Sequence, residues 1–358
     1  MSHILTRLFF HSINMIVGAF RWFPQWIFRA LFWLRRPRSD LGAFALPPEI
    51  ILMVAAYLTE TSVISLALTC RALRSLCFPS NSRLNMSEKK ELLLLLEKDI
   101  ATSYFCHYCI KLHRWHKGWG RPISSLLDHN LPQGCKQHLQ FGDLSFSTYC
   151  FIQYHHARLV MNRHFYGPTH GLSLRIFKTR DRFYDRFFGV TDSASTCARI
   201  IDNKLLVSST KTFSHSRGDL KALRNYIETW APGACPHLSL GRESPHRVPT
   251  QLPELAKDKT APLYFAPCDQ SLGSCAFCMT DYCIDISWRG RRKGYIIKVS
   301  LYYQLGDCRS PYGWAWRSMT TLRTMDDLRT MYPPEHRHGI VRDKWNGTNG
   351  MDGGTRGE

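Results

Sequence analysis

Residues Leu46 to Leu76, LPPEIILMVAAYLTETSVISLALTCRALRSL, set short apolar helical segments between polar breaks. Pro47 and Pro48 suit a first helical turn, where the missing N–H costs little and φ is already set. Ile51, Val54, Ala55 and Leu58 follow at spacings of three and four, which places them on one helix face. Thr59 to Ser62 interrupt the pattern, and Thr61 or Ser62 can cap the next helix. Val63, Ile64, Leu66, Ala67 and Leu68 are apolar nearly all round, and Arg71, Leu73 and Leu76 continue the helix past Cys70. So small a helical unit buries little alone, which implies a partner surface. The competing reading is an ordinary helical hairpin inside a larger core.

The L-P-x-E-I start, the helix spacing and the T-C-R close together resemble an F-box. The resemblance implies that this segment binds a Skp-type adaptor of a cullin–RING ubiquitin ligase. The positions it assigns to the adaptor are Leu46, Pro47, Glu49, Ile50, Leu58, Leu66 and Leu68. Further along lie a C-x-x-C-x-x-x-H element, ARIIDNKLLV, CPHL, CAFCMTDYCIDI and a late LG…SP…W. Together they resemble a family of fungal F-box proteins over roughly residues 44 to 320. That family brings no substrate or reaction with it.

The 358-residue chain has room for about two domains, and the F-box-like segment occupies a small part of it. Its formal charge is +19, which often signals nucleic acid, anionic membrane or acidic partners. Here Lys and Arg are scattered, without a long basic block, so a generally basic surface is preferred over a nucleic-acid groove.

Met1 to Ser39 holds no acidic residue and is dense in Phe, Trp and Arg. Its longest uncharged run, Leu8 to Phe20, is thirteen residues, short of the roughly 20 a membrane-spanning helix needs. A membrane-interface segment over residues 1–36 and an extension outside the folded unit are the leading readings, with a mitochondrial presequence and a secretory signal behind them.

Ser87 to Asp99 reads as a helix capped by Ser87. Phe146, Cys150, Tyr154, Ala157 and Met161 recur at helical spacing up to the turn YGPTHG. CARIIDNKLLVSSTKTF reads as a β-hairpin turning at Asp202-Asn203. Asp219 to Trp230 reads as an amphipathic helix capped by Asp219. Residues 241–262 read as a polar link, and Tyr282–Trp288 with Tyr295–Leu301 as a second hairpin. The expected organisation is a basic aromatic extension (1–40), an F-box (41–80), an α+β recognition region with Cys/His clusters (81–330) and a disordered polar tail (331–358). The fold class is α+β, a three-helix F-box followed by a mixed helix and β-hairpin domain carrying a structural zinc.

Thirteen cysteines cannot all pair within one chain, and two close pairs are C-x-x-C. One cluster is Cys106-x-x-Cys109 with Cys135-x-x-His138, and with His107, His113 and His116 nearby. A second is Cys275-x-x-Cys278, whose partners are Cys235 and His237, or Cys268, or Cys283. Close pairs joined by a loop are the usual way to build a tetrahedral zinc site. Buried cysteines, a redox dithiol, and one ion shared by both C-x-x-C pairs stay open beside it. Cys70, Cys77, Cys197 and Cys308 read as small buried hydrophobes.

No H-E-x-x-H, G-x-S-x-G or glycine-rich phosphate loop is present, so an enzyme is not expected. The leading function is substrate recognition in an SCF-type ligase, directing ubiquitin-dependent degradation of an unidentified protein in the cytoplasm or nucleus. The alternative is a zinc-containing binding protein outside a ligase, on nucleic acid or a membrane surface, with Tyr302, Tyr303, Trp314 and Trp316 as base-stacking candidates.

Overall fold

The structure, a computed structural model, describes residues 46–78, 84–116, 143–147, 150–230, 233–239, 250–251, 265, 267–320 and 337–347. Two compact units are present. The first extends to Ala101 and adds Ile110–Leu112; the second takes Thr102–Cys109 and the chain from His113 onward.

In the first unit, α1 (Pro48–Ala56) places Ile51 and Ala55 inward, one turn apart. Thr59, with extended backbone, caps α2 (Glu60–Ala67) by accepting the Ser62 N–H. The cap thus lies earlier than Thr61 or Ser62, and Thr61 is buried with its hydroxyl on Thr59 Oγ1 at 3.0 Å. Nor does α2 run through Cys70. Its backbone is extended there, and its sulfur accepts the Leu73 N–H to begin α3 (Arg71–Cys77). That break lets α3 fold back, so that Ile51, Ala55, Ala67, Leu73 and Cys77 share one core. α4 (Met86–Asp99) starts one position before expectation: Asn85 and Glu88 form a reciprocal capping box, and Ser87 lies inside the helix.

β1 (Ser103–Cys106) opens the second unit and pairs with β2 (Lys111–Arg114), along which the chain rejoins that unit at His113. β3 (Asp143–Ser147) and β4 (Cys150–Gln153) pair antiparallel ahead of α5 (Tyr154–Tyr166). Phe146 and Cys150 therefore lie in strands, contrary to the helical reading. Pairing Leu144 opposite Ile152 buries both, which a helix over this span would not do.

The main sheet uses β5 (Thr179–Asp185), β6 (Val190–Ile201), β7 (Lys204–His215), β10 (Cys268–Ser274), β11 (Thr280–Trp288) and β12 (Tyr295–Gly306). Two short strands, β8 (Leu238–Ser239) and β9 (Thr250–Gln251), pair apart from it. Its order is β10-β11-β12-β7-β6-β5: two antiparallel meanders joined edge to edge by β12 and β7. Asp202 (φ 51°) and Asn203 (φ 57°) make the β6–β7 turn in the left-handed region that two-residue hairpins favour. Along β12, Tyr295, Ile297, Val299, Leu301, Tyr303 and Leu305 face one core. Side chains of α5, α6 (Leu220–Trp230) and α7 (Trp314–Thr320) complete it. The alternate positions Leu206 and Tyr302 pack with Met279, Val341 and Trp345 of α8 (Ile340–Gly347). The segment read as a disordered tail thus contains a docked helix. Most of the polar link at 241–262 lies outside the described residues.

Candidate adaptor-binding helices and metal centres

The helical unit keeps Ile51 and Ala55 inside and turns large apolar side chains outward. Tyr57 is 86% exposed, Met53 53%, Leu52 46%, Leu46 42% and Leu68 43%. Ile50, Met53 and Tyr57 recur at three and four, so they form an outer stripe opposite Ile51 and Ala55. Of the positions assigned to the adaptor, Leu46, Glu49 and Leu68 are exposed, and Pro47, Ile50 and Leu58 half-buried. Leu66 is half-buried and packs against the inner cluster. The sequence reading passed over Leu52, Met53 and Tyr57. Their outward phase relative to Ile51 was the available signal.

In the second unit, Cys235, His237, Cys275 and Cys278 come together, their ligand atoms all within 4.8 Å of one another. His237 Nδ1 lies 3.7 Å from Cys275 Sγ and 4.0 Å from Cys235 Sγ. Donors about 2.0–2.3 Å from a tetrahedral ion are themselves about 3.5–3.8 Å apart, so little contraction would seat one. Cys275 and Cys278 flank the turn between β10 and β11, closed by Cys275 N–H to Thr280 O at 2.8 Å. Cys235 and His237 sit on a tight turn in which the N–H groups of Ala234 and Cys235 donate to Leu238 O. Tyr303 of β12, itself buried, donates its hydroxyl to Ala234 O at 2.7 Å and fixes this turn to the sheet. Two turns far apart in sequence are thereby brought face to face.

The surroundings suit thiolates. Cys275 Sγ accepts the Phe277 N–H at 3.3 Å, and Cys278 Sγ lies 3.1 Å from Thr280 Oγ1. Without an ion, hydrogen bonds from Cys235 and Cys278 hold the Cys275 thiol well below its ordinary range, while burial pushes Cys235 and Cys278 well above theirs. Cys275 and Cys278 line a pocket in which both are 0% exposed. His237 is 6% exposed, and its Nε2 has no hydrogen-bond partner among the described residues. With Nδ1 turned to the sulfurs, this ring is set as a ligand through Nδ1. The cluster can hold a metal ion.

Cys268 and Cys283 are outside this group, and the C-x-x-C pairs fall into two separate clusters. The other comprises Cys106, Cys109 and His113. Cys135 and His138 lie outside the described residues. Cys77 and Cys308 are buried as expected, Cys70 is a half-buried helix cap, and Cys197 is exposed on β6, which corrects its reading as a core residue. Tyr303 and Trp316 are 1% exposed, and Tyr302 and Trp314 pack beside Trp345 and Val341, so these aromatics anchor cores. Among the described residues no helix is long and apolar enough to cross a membrane.

Residues 43–82 match the F-box-like family model. No curated protein matched the chain. No solved structure matched it either.

Proposed function

We infer from the F-box-like segment at residues 43–82 that this chain is the substrate-recognition subunit of an SCF-type cullin–RING ubiquitin ligase. The observation that carries the reading is the outward apolar set Leu46, Met53, Tyr57 and Leu68 over a small helical core. Large apolar groups gathered on so small a unit mark a protein-binding surface. The adaptor takes that surface, and the α+β unit holds the target protein. Ubiquitin transfer belongs to the other subunits, and this chain acts by binding. The role places it in the cytoplasm or nucleus, with residues 1–36 as a proposed membrane-surface contact.

In this reading the four-donor centre carries a structural zinc ion. Three sulfurs and one imidazole nitrogen match a closed zinc tetrahedron, and the soft donors disfavour calcium or magnesium. The deep burial of Cys275 and Cys278 fits an ion that supports folding.

The test is co-purification of the full chain with a Skp-type adaptor, against a variant carrying Leu46→Ala and Pro47→Ala. The expected result is a stoichiometric complex that the variant loses. A folded chain that binds no adaptor would leave a zinc-containing binding protein outside any ligase.

A further inference from the structure

The second Cys/His cluster has a different character from the first. Cys106 ends β1, Cys109 lies in the turn that follows, and His113 stands on the returning strand β2. Their three ligand atoms lie within 4.8 Å of one another, with Cys109 Sγ only 2.9 Å from His113 Nε2.

Two details set this hairpin apart from an ordinary turn. Ile110, directly after the second cysteine, has φ 49°. A β-branched residue rarely adopts the left-handed region, so the surroundings must impose it. The reversed backbone there carries the chain from Cys109 back along β2 toward His113. The histidines are also sorted. His107, inside the C-x-x-C turn, directs Nε2 to Arg309 O at 2.9 Å. His113 directs Nε2 at the sulfur, and its ring lies 5.9 Å from that of the buried Tyr104.

We propose that Cys106, Cys109 and His113 supply three donors of a second metal site, for a zinc-class divalent ion that exchanges faster than the ion of the four-donor centre. Two thiolates and an imidazole select a soft or borderline ion over calcium or magnesium. The entering ion replaces the short sulfur–imidazole contact, because donors around a tetrahedral ion sit about 3.6 Å apart. Each cysteine loses its thiol proton to solvent, the imidazole binds neutral through Nε2, and no electron moves. Faster exchange follows from access: Cys109 and His113 are half-buried, whereas Cys275 and Cys278 are sealed. This site does not depend on adaptor binding.

The experiment titrates the reduced, metal-depleted full chain with Co2+, read by d–d and sulfur-to-cobalt charge-transfer absorption. Two equivalents are expected, one of which a chelator removes faster. His113→Ala should weaken the fast equivalent by more than about 100-fold, the upper range for loss of even an outer-shell partner, and leave the slow one intact. His113→Cys should retain both equivalents and add charge-transfer intensity, which separates loss of a ligand from loss of the fold. A single equivalent in the wild type, two equivalents that leave at one rate, or a fast equivalent indifferent to His113→Ala would each overturn the proposal.

Discussion

Asp281 Oδ2 accepts the backbone N–H of Val341 at 2.8 Å, and of Arg342 at 2.9 Å, at the start of α8. Its Oδ1 accepts the Gly339 N–H at 3.2 Å and the Ser274 hydroxyl. A buried residue at the start of β11 thus caps the last described helix, meeting donors that a helix start leaves unpaired. The same carboxylate ties that helix to the end of β10, next to Cys275.

Replacing Asp281 by Ala would leave the Val341 and Arg342 N–H groups without their acceptor, while Gly339 keeps Ser274 Oγ at 3.0 Å. An unsatisfied buried donor costs about 1–3 kcal/mol, so Asp281→Ala should destabilise the second unit by about 3 kcal/mol. Hydrogen exchange should show the loss first at Val341–Trp345. Unchanged protection there would mean that the apolar contacts of Val341 and Trp345 alone hold α8.

Removing a metal ion held by the proposed four-donor centre should lower stability sharply. Binding at a thousandfold excess over Kd contributes about 4 kcal/mol, which for a domain of this size is about 10 °C in Tm. Cys278→Ser should reduce metal content by one equivalent and lower Tm by about that amount. Cys283→Ser, outside the cluster, should do neither; elemental analysis beside thermal melts separates them.

On the helical unit, inside and outside positions should behave in opposite ways. Met53→Asp and Tyr57→Asp should leave helicity and melting nearly unchanged, because both side chains already face solvent. Each should weaken adaptor binding by at least about 2 kcal/mol, the scale of an interface hot spot, or roughly 30-fold in Kd. Ile51→Asp should instead unfold the unit by burying a charge in the shared core. Full adaptor affinity in both exposed variants would move the contact to another face.

Burial raises the pKa of Asp192, offset in part by nearby Lys211 and by the hydrogen bond that Tyr226 donates to Oδ2. A carboxyl raised in the folded state holds a proton that the unfolded chain, near 3.9, has already released. Its contribution is therefore present below the unfolded value and lost as pH rises through the folded one. Wild-type Tm relative to Asp192→Asn should climb between pH 7 and pH 4. A difference that stays flat or falls would contradict the raised value.

Local pattern carried much of the fold. The apolar phase of Ile51 and Ala55, the Asp202-Asn203 turn, the cap at Asp219 and the alternation through Tyr295–Leu301 all appear where their spacing requires. It misled where a choice depended on distant partners. Phe146 and Cys150 fit a helical period, yet the chain there pairs Leu144 with Ile152 across a hairpin. The polar composition beyond Pro333 hid α8, whose few apolar residues suffice only because Leu206 and Met279 receive them and Asp281 caps the helix.

The candidate sites divide the same way. A helical segment over residues 46–77 and the close pairing of Cys and His are both matters of short spacing, and both are legible in the chain. That Cys235 and His237, and neither Cys268 nor Cys283, meet Cys275 and Cys278, and that His113 joins Cys106 and Cys109, is visible only once the chain is folded. A local turn can set two donors at ligand distance. Bringing in the other two takes the pairing of strands far apart in the chain, here through the hold of Tyr303 on Ala234.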